Sequence, residues 1–140
     1  MRKIKILVLL ILLMGVTGCK INQTENESKQ VKGIPDCVSS FESNGDYRLI
    51  IIVNEKEIND KEVLALELIE MVRNNEFKTI MFSYDVNGYP VGLQMDVYLT
   101  EEDWKDKEVD SYMKVSFKQE NIVDGYNIVE HYNKFQLNIE

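Results

Sequence analysis

The chain has 140 residues, with 16 basic and 24 acidic side chains, a formal net charge of −8 and 44% hydrophobic residues. This length accommodates one domain, the apolar content excludes wholesale disorder, and the negative charge disfavours nucleic-acid binding because it repels phosphate. Two cysteines and one histidine are too few for a zinc site of the finger type.

Residues 1–18 have the pattern of a secretory signal peptide. A cationic start is followed by an apolar run from Ile6 to Val16, which is shorter than the roughly 20 residues of a spanning helix. Val16-Thr17-Gly18-Cys19 then resembles the lipobox of bacterial lipoproteins. The resemblance implies cleavage before Cys19 and a diacylglyceryl group on its thiol, and two acyl chains suffice for stable anchoring. An uncleaved N-terminal anchor is the alternative, and both place the domain on the extracytoplasmic side of the cell membrane.

The rest of the chain divides into a tether and a domain. Residues 19–35 are polar and lack an apolar period, so we interpret them as a flexible tether. Residues 36–140 are expected to form a single domain. Loss of residues 1–18 would remove Arg2, Lys3 and Lys5 and leave a net charge of −11.

The domain begins with a strand and a helix. Tyr47–Val53 is β-branched and nearly continuously apolar, which predicts a strand buried on both faces. Asn59 and Glu62 fit a capping box at the start of a helix. This helix is expected to end at Arg73-Asn74-Asn75, where a cation and an asparagine pair suit a helix C-terminus.

The remaining pattern predicts further strands joined by tight turns. The predicted elements are a strand at Phe77–Asp85, a hairpin turn at Asn87-Gly88, a strand at Gly92–Leu99, a helical turn from Thr100 containing Trp104, a strand at Val109–Lys118, a hairpin turn at Asp124-Gly125, a strand at Tyr126–Tyr132 and a last short strand reaching Ile139. The order β-α-β-β-β-β predicts an α+β fold, with one main helix packed on a mostly antiparallel sheet of about five strands.

Three short runs in the domain resemble small bacterial lipoproteins without an established activity. They are Phe82-Ser83-Tyr84-Asp85, Tyr89-Pro90 and Val97-Tyr98-Leu99. No functional residue is carried over from this resemblance.

Motifs for catalysis or metal binding are not found in the sequence. His131 is the only histidine and has no Ser or Cys placed beside it by a motif, so we expect it on a strand surface. The acidic run at residues 101–110 lacks the central glycine of a calcium loop and is interrupted by Lys105 and Lys107. We therefore predict that the protein is not an enzyme and that it uses neither a cofactor nor a metal.

Four side chains form a candidate binding surface. Tyr98 and Tyr112 occupy outward positions of neighbouring strands, where they either present contact area or pair across the strands. Ile50 and Ile52 point away from the helix-covered face. Each would lose about 1.5–3 kcal/mol of burial if left exposed. Residues 34–41, residues 135–139 or a second molecule could cover them, and intrachain cover is the simpler expectation.

Two functional readings follow from these patterns. The preferred one is a membrane-tethered, non-enzymatic protein-binding or accessory module that acts on another cell-surface or envelope protein. The alternative is a surface-attached lipoprotein that binds a small ligand or a cation through Asp and Glu of residues 101–110. Because lipidation would consume Cys19 in an oxidising compartment, Cys37 is expected to be a free thiol packed at the domain edge.

Overall fold

A computed structural model describes residues 33–140, so the predicted signal peptide, Cys19 and most of the predicted tether lie outside the described residues. The elements are β1 (Asp36–Ser43), β2 (Asp46–Ile52), α1 (Lys61–Asn74), α2 (Tyr84–Asn87), β3 (Gly92–Tyr98), α3 (Glu101–Lys105), β4 (Met113–Gln119), a 3-10 turn (Tyr132–Lys134) and β5 (Phe135–Ile139).

The five strands form one sheet in the order β1-β2-β3-β4-β5. All neighbours are antiparallel except β2 and β3, which are parallel because the crossover through α1 and α2 returns the chain to the starting end of β2. The expected α+β class and mostly antiparallel sheet are confirmed. Two strands precede the main helix, so the observed order differs from the predicted β-α-β-β-β-β.

Helix α1 begins and ends with side chains suited to those positions. The Asp60 carboxylate accepts hydrogen bonds from the backbone N–H groups of Glu62 and Val63, one residue later than the predicted cap at Asn59. Asn75 ends the helix in the left-handed region with φ of 58°, as predicted for this asparagine pair. The buried side of the helix consists of Leu64, Ala65, Leu68, Ile69 and Val72.

The core lies between α1 and one face of the sheet. Alternate residues of the three central strands point toward the helix and are buried: Tyr47, Leu49, Ile51, Leu93, Met95, Val97, Met113, Val115 and Phe117. In the predicted strand Gly92–Leu99, alternate residues are buried as far as Val97, and Leu99 is only half-buried. In the predicted strand Val109–Lys118, Val109 lies in the loop before β4. We call the opposite side of the sheet the second face.

The predicted strand at Phe77–Asp85 does not form. The side-chain amide of Asn75 donates to the Phe82 carbonyl at 2.8 Å, and its oxygen accepts from the Phe82 N–H at 2.7 Å. The N–H groups of Lys78 and Thr79 donate to the Asp36 carboxylate. Because side chains make hydrogen bonds to these backbone N–H and carbonyl groups, the segment does not need a neighbouring strand to satisfy them.

The hairpin lies at a different Asn-Gly pair from the one predicted. Asn44 and Gly45, with φ of 53° and 81°, join β1 to β2. Asn87 is instead the last residue of α2, and Gly88 caps it. Residues 36–43 pair with β2 along its edge, so β1 extends the sheet. Residues 36–43 therefore do not fold across the second face, which was one of the three covers considered for Ile50 and Ile52.

The predicted strand at Tyr126–Tyr132 is also wrong. The Asn127 side-chain oxygen accepts from the N–H groups of Val129 and Glu130 and folds this segment into a turn. The Arg73 guanidinium then donates to the carbonyls of Ile128 and Val129, both at 3.1 Å, and ties the turn to α1. The last short strand, now β5, is confirmed at the edge beside β4.

Candidate functional site

The four sequence-predicted binding residues lie on the second face or at its margin. Ile52 has 3% of its surface exposed and sits between Asp36 and Tyr98 in the sheet register. Ile50 and Tyr98 are half-buried. None of these side chains is among the exposed large hydrophobic groups of residues 33–140. The structure therefore offers no broad apolar patch at these positions.

Tyr112 has a different environment from Tyr98. Its ring packs against the core cluster, and the Lys61 ammonium lies 4.6 Å from the ring centroid. A cation over an aromatic face is stabilising, so Tyr112 helps to hold the start of α1 against β4. The structure thus assigns Tyr112 a packing contact with the core cluster and with Lys61.

A polar depression of about 380 Å³ occupies the middle of the second face. Two basic side chains, Arg48 and Lys114, and two acidic ones, Asp96 and Glu140, line it. Asp96 and Lys114 lie opposite each other on β3 and β4. This mixture of charges suits a small polar ligand better than an apolar one.

Acidic side chains of residues 101–110 make their contacts with neighbouring residues of the same segment. Asp103 and Thr100 form a reciprocal capping box at the start of α3, where the sequence predicts a helical turn. Lys105 pairs with Glu101, and the Asp106 side chain accepts from the Glu108 N–H. Within residues 33–140, no group of three or more His, Cys, Asp or Glu side chains could hold a metal ion.

His131 serves the turn that follows β4. Its ring stacks on Tyr126 with 4.5 Å between ring centroids, and its Nδ1 accepts from the Asn127 N–H at 3.5 Å. It precedes a 3-10 turn and does not lie on a strand. These contacts give His131 a structural role.

The chain enters the fold at one end of the sheet, which we call the entry end; it comprises residues 33–36, 53–60 and 99–112. The Asp36 carboxylate accepts from the N–H groups of Cys37, Lys78 and Thr79 and from the Thr79 hydroxyl. Burial raises the pKa of Asp36, but these hydrogen bonds outweigh it, and the net pKa lies below 3.8.

Cys37 follows in β1 and is 0% exposed. It is a free thiol, and it donates weakly to the Ser39 carbonyl at 3.3 Å. Burial raises its pKa to about 12, and the Asp36 charge adds to this shift. The expected free, unreactive thiol is consistent with this environment.

The opposite end of the sheet, which we call the hairpin end, comprises residues 42–46, 84–91 and 118–126. The Gly45 carbonyl accepts from the Val91 N–H at 2.8 Å, and the Pro90 carbonyl accepts from the Ile128 N–H at 2.9 Å. A Cβ on Gly45 would come within 2.9 Å of the Val91 side chain. These contacts hold the hairpin tip, the start of β3 and the segment after β4 together.

A groove of about 340 Å³ lies between these segments. Val91, Ile122 and Val123 supply its exposed apolar side chains, and Ile122 is 92% exposed. Val86 and Tyr89, also exposed, lie in the segment just before Val91. The one local signal for this surface in the sequence is the apolar pair Ile122-Val123 beside the Asp124-Gly125 turn, and by itself it does not predict a binding surface.

The segments around the groove are predominantly acidic. Residues 42–46, 84–91 and 118–126 contain five acidic side chains and one basic side chain, Lys118. The nearby Tyr47 hydroxyl is buried and has no hydrogen-bond partner among residues 33–140. Burial raises the pKa of Tyr47, the Glu42 charge raises it further, and the Asn87 side chain opposes the shift without reaching hydrogen-bond geometry.

Comparison of the chain with protein-family models, curated proteins and solved structures finds no significant match. In the part that the structure describes, none of the helices has the length and apolar character needed to cross a membrane. The surfaces of this chain itself therefore provide the indications of its function.

Proposed function

We propose that this protein is a membrane-anchored extracytoplasmic lipoprotein that acts as a non-enzymatic protein-binding module. The lipobox resemblance at residues 16–19 supports lipidation of Cys19. One observation carries the binding role: three exposed apolar side chains at the hairpin end line one groove, namely Val91, Ile122 and Val123. Clustered exposed apolar groups are typical of interaction sites.

The position of this surface agrees with anchoring through Cys19. The described chain begins at Gly33, at the entry end, and β1 runs from there to the hairpin tip. Its eight residues span roughly 23 Å at the usual strand rise. The hairpin end therefore lies at the opposite end of β1 from the point where the predicted tether joins the domain.

Site-specific photo-crosslinking in intact cells tests the proposal. A photoreactive residue replaces Ile122 in one full-length chain and Ile34 in the control, because Ile34 is also exposed (77%) but lies at the entry end. We expect a discrete adduct with another protein at position 122 and none at position 34. Equal labelling at both positions, or no adduct at either, would overturn the proposal.

Small-ligand binding is a second candidate function, supported by the charged depression on the second face. Arg48, Asp96, Lys114 and Glu140 line that depression. The cation-binding form predicted from the sequence would instead use the carboxylates of residues 101–110, where no group of three or more is placed to hold a metal ion. A calorimetric titration with calcium that gave a saturable heat, lost in Glu101→Gln/Glu102→Gln, would favour this alternative over protein binding.

A further inference from the structure

The hairpin end combines apolar contact area with an acidic rim. Glu42 and Asp46 flank the hairpin tip, while Glu120 and Asp124 flank the exposed pair Ile122-Val123. All four carboxylates are exposed. An apolar centre whose surroundings are predominantly acidic, with Lys118 as the one basic side chain of these segments, selects partners by electrostatic complementarity as well as by shape.

The contacts within this end hold the surface in a defined shape. The Gly45 N–H donates to the Glu42 carboxylate at 2.7 Å, so the hairpin tip is closed by its own side chain. The Val123 N–H donates to the Gln119 side chain at 2.8 Å, which fixes the start of the loop that carries Ile122. Because the surface is organised before a partner arrives, less conformational entropy is lost on binding.

The same charges argue against a bilayer as the occupant. Bacterial membranes that carry anionic lipids attract basic segments and repel acidic ones. Five acidic side chains and a single lysine in these segments would oppose insertion of Ile122 and Val123 into such a surface. A cationic protein segment would be attracted by these acidic side chains and could also contact the exposed Ile122 and Val123.

Resting on the proposed function, we infer that the hairpin end binds a cationic segment of a partner protein. One apolar side chain of that segment would sit among Val91, Ile122 and Val123. Its flanking Lys or Arg side chains would lie over Asp46, Glu120 and Asp124. The apolar contact then provides affinity, and the charges provide orientation and rapid association.

Binding of a labelled synthetic peptide to the full chain in a neutral detergent tests this inference. The probe carries one Leu flanked on both sides by Lys, and its two controls replace the Leu by Ser or every Lys by Glu. We expect Ile122→Ser to weaken binding about tenfold, and Glu120→Gln/Asp124→Asn to weaken it several-fold at low salt and less at high salt. The matched variants Ile34→Ser and Glu57→Gln, at the entry end, should leave binding unchanged.

Equal binding of the Lys and Glu peptides would overturn the inference. If photo-crosslinking at position 122 still gave an adduct, the proposed protein-binding function would be retained. The inference that the bound segment is cationic would be rejected. Equal binding by Ile122→Ser and Ile34→Ser would also overturn it.

A second measurement distinguishes a protein partner from a lipid surface. Ile122→Cys, labelled with an environment-sensitive fluorophore in the full chain, is reconstituted into phosphatidylglycerol vesicles, with Ile34→Cys as the matched control. We expect a blue shift at position 122 on addition of the Lys peptide and no shift on reconstitution alone. A blue shift on reconstitution alone would assign the surface to the bilayer and overturn the inference.

Discussion

The two ends of the sheet differ in how many apolar side chains they expose around a groove. At the entry end, polar groups are turned inward to the chain itself: Asp36 binds three backbone N–H groups and a hydroxyl, and Asp103 caps α3. At the hairpin end, Val91, Ile122 and Val123 remain exposed around a groove. Polar groups that find hydrogen-bond partners within the chain stabilise the fold. Apolar side chains that stay exposed and clustered are instead available to a binding partner.

This difference matters because the chain enters at the stable end. The Asn54 side-chain amide donates to the Ile34 carbonyl at 2.8 Å and fixes the segment that leads into β1. A pull transmitted through a tether would reach a point that is already tied to β2. The hairpin end is free of this attachment, so partner binding and anchoring need not compete.

The largest expected effect comes from removing the anchor. Cys19→Ala deletes the thiol that the lipobox resemblance assigns for lipidation, so we expect no incorporation of labelled palmitate and accumulation of unprocessed chain. Conversion of the alternative thiol, Cys37→Ala, serves as the control and should leave labelling intact. Palmitate on the Cys19→Ala protein would contradict the lipobox interpretation.

Protection of the Cys37 thiol is the next largest effect. A pKa near 12 instead of 9.0 leaves roughly a thousandfold less thiolate at neutral pH. In a Cys19→Ala chain, where Cys37 is the only thiol, iodoacetamide should react far more slowly with native protein than with urea-unfolded protein. Rapid native labelling, or a Cys19–Cys37 disulfide in the mass spectrum of the mature protein, would contradict this assignment.

The two Asn-Gly pairs show how far the sequence alone could lead. Both carry the same hairpin signal, yet only Asn44-Gly45 forms a hairpin, with Ser43 paired to Asp46 across it. Near the other pair, Pro90 lacks the N–H that a strand ladder needs. Tyr84 also fixes a helical turn there, because its hydroxyl donates to the Val72 carbonyl at 2.5 Å.

Elements whose apolar residues recur at regular spacing could be predicted from the sequence. Segments whose backbone groups bond to side chains far away in sequence could not. The alternate burial in β3 and the buried side of α1 follow from residues close together in sequence, so both elements could be predicted. The segment after α1 depends on Asp36, more than 40 residues away, and no local pattern indicates such a contact. The binding surface was missed for the same reason, since residues 42–46, 84–91 and 118–126 meet only in the folded chain.

Loss of the Asp36 carboxylate should destabilise the entry end. Asp36→Ala removes an acceptor for several hydrogen bonds, and bonds to charged groups contribute about 1.5–3 kcal/mol. Because the donors Lys78 and Thr79 are exposed and can turn to water, we expect a loss of about 1–3 kcal/mol in the free energy of unfolding. Urea titration followed by circular dichroism measures it; a change below 0.5 kcal/mol would deny Asp36 this role.

The contribution of Asp36 should also depend on pH. Its pKa in the folded chain is lowered below 3.8, so its stabilisation is fully present above that value and is lost as pH falls through the folded pKa. The stability difference between the native chain and Asp36→Asn should therefore shrink in acid. Thr79→Val removes the hydroxyl that contributes most to lowering the pKa, and it should move the transition toward higher pH. A pH-independent difference would contradict the assignment.

The smallest expected effect on stability comes from the hairpin end. Ile122 is 92% exposed, so Ile122→Ser removes almost no buried area, and surface substitutions of this kind change the free energy of unfolding by less than about 0.5 kcal/mol. Urea midpoints of Ile122→Ser and Ile34→Ser should therefore agree with that of the native chain. If Ile122→Ser instead destabilised the protein as much as Asp36→Ala, the exposed apolar group would be part of the folding core. The contrast between a stable entry end and a recognition surface at the hairpin end would then fail, because both ends would serve the fold.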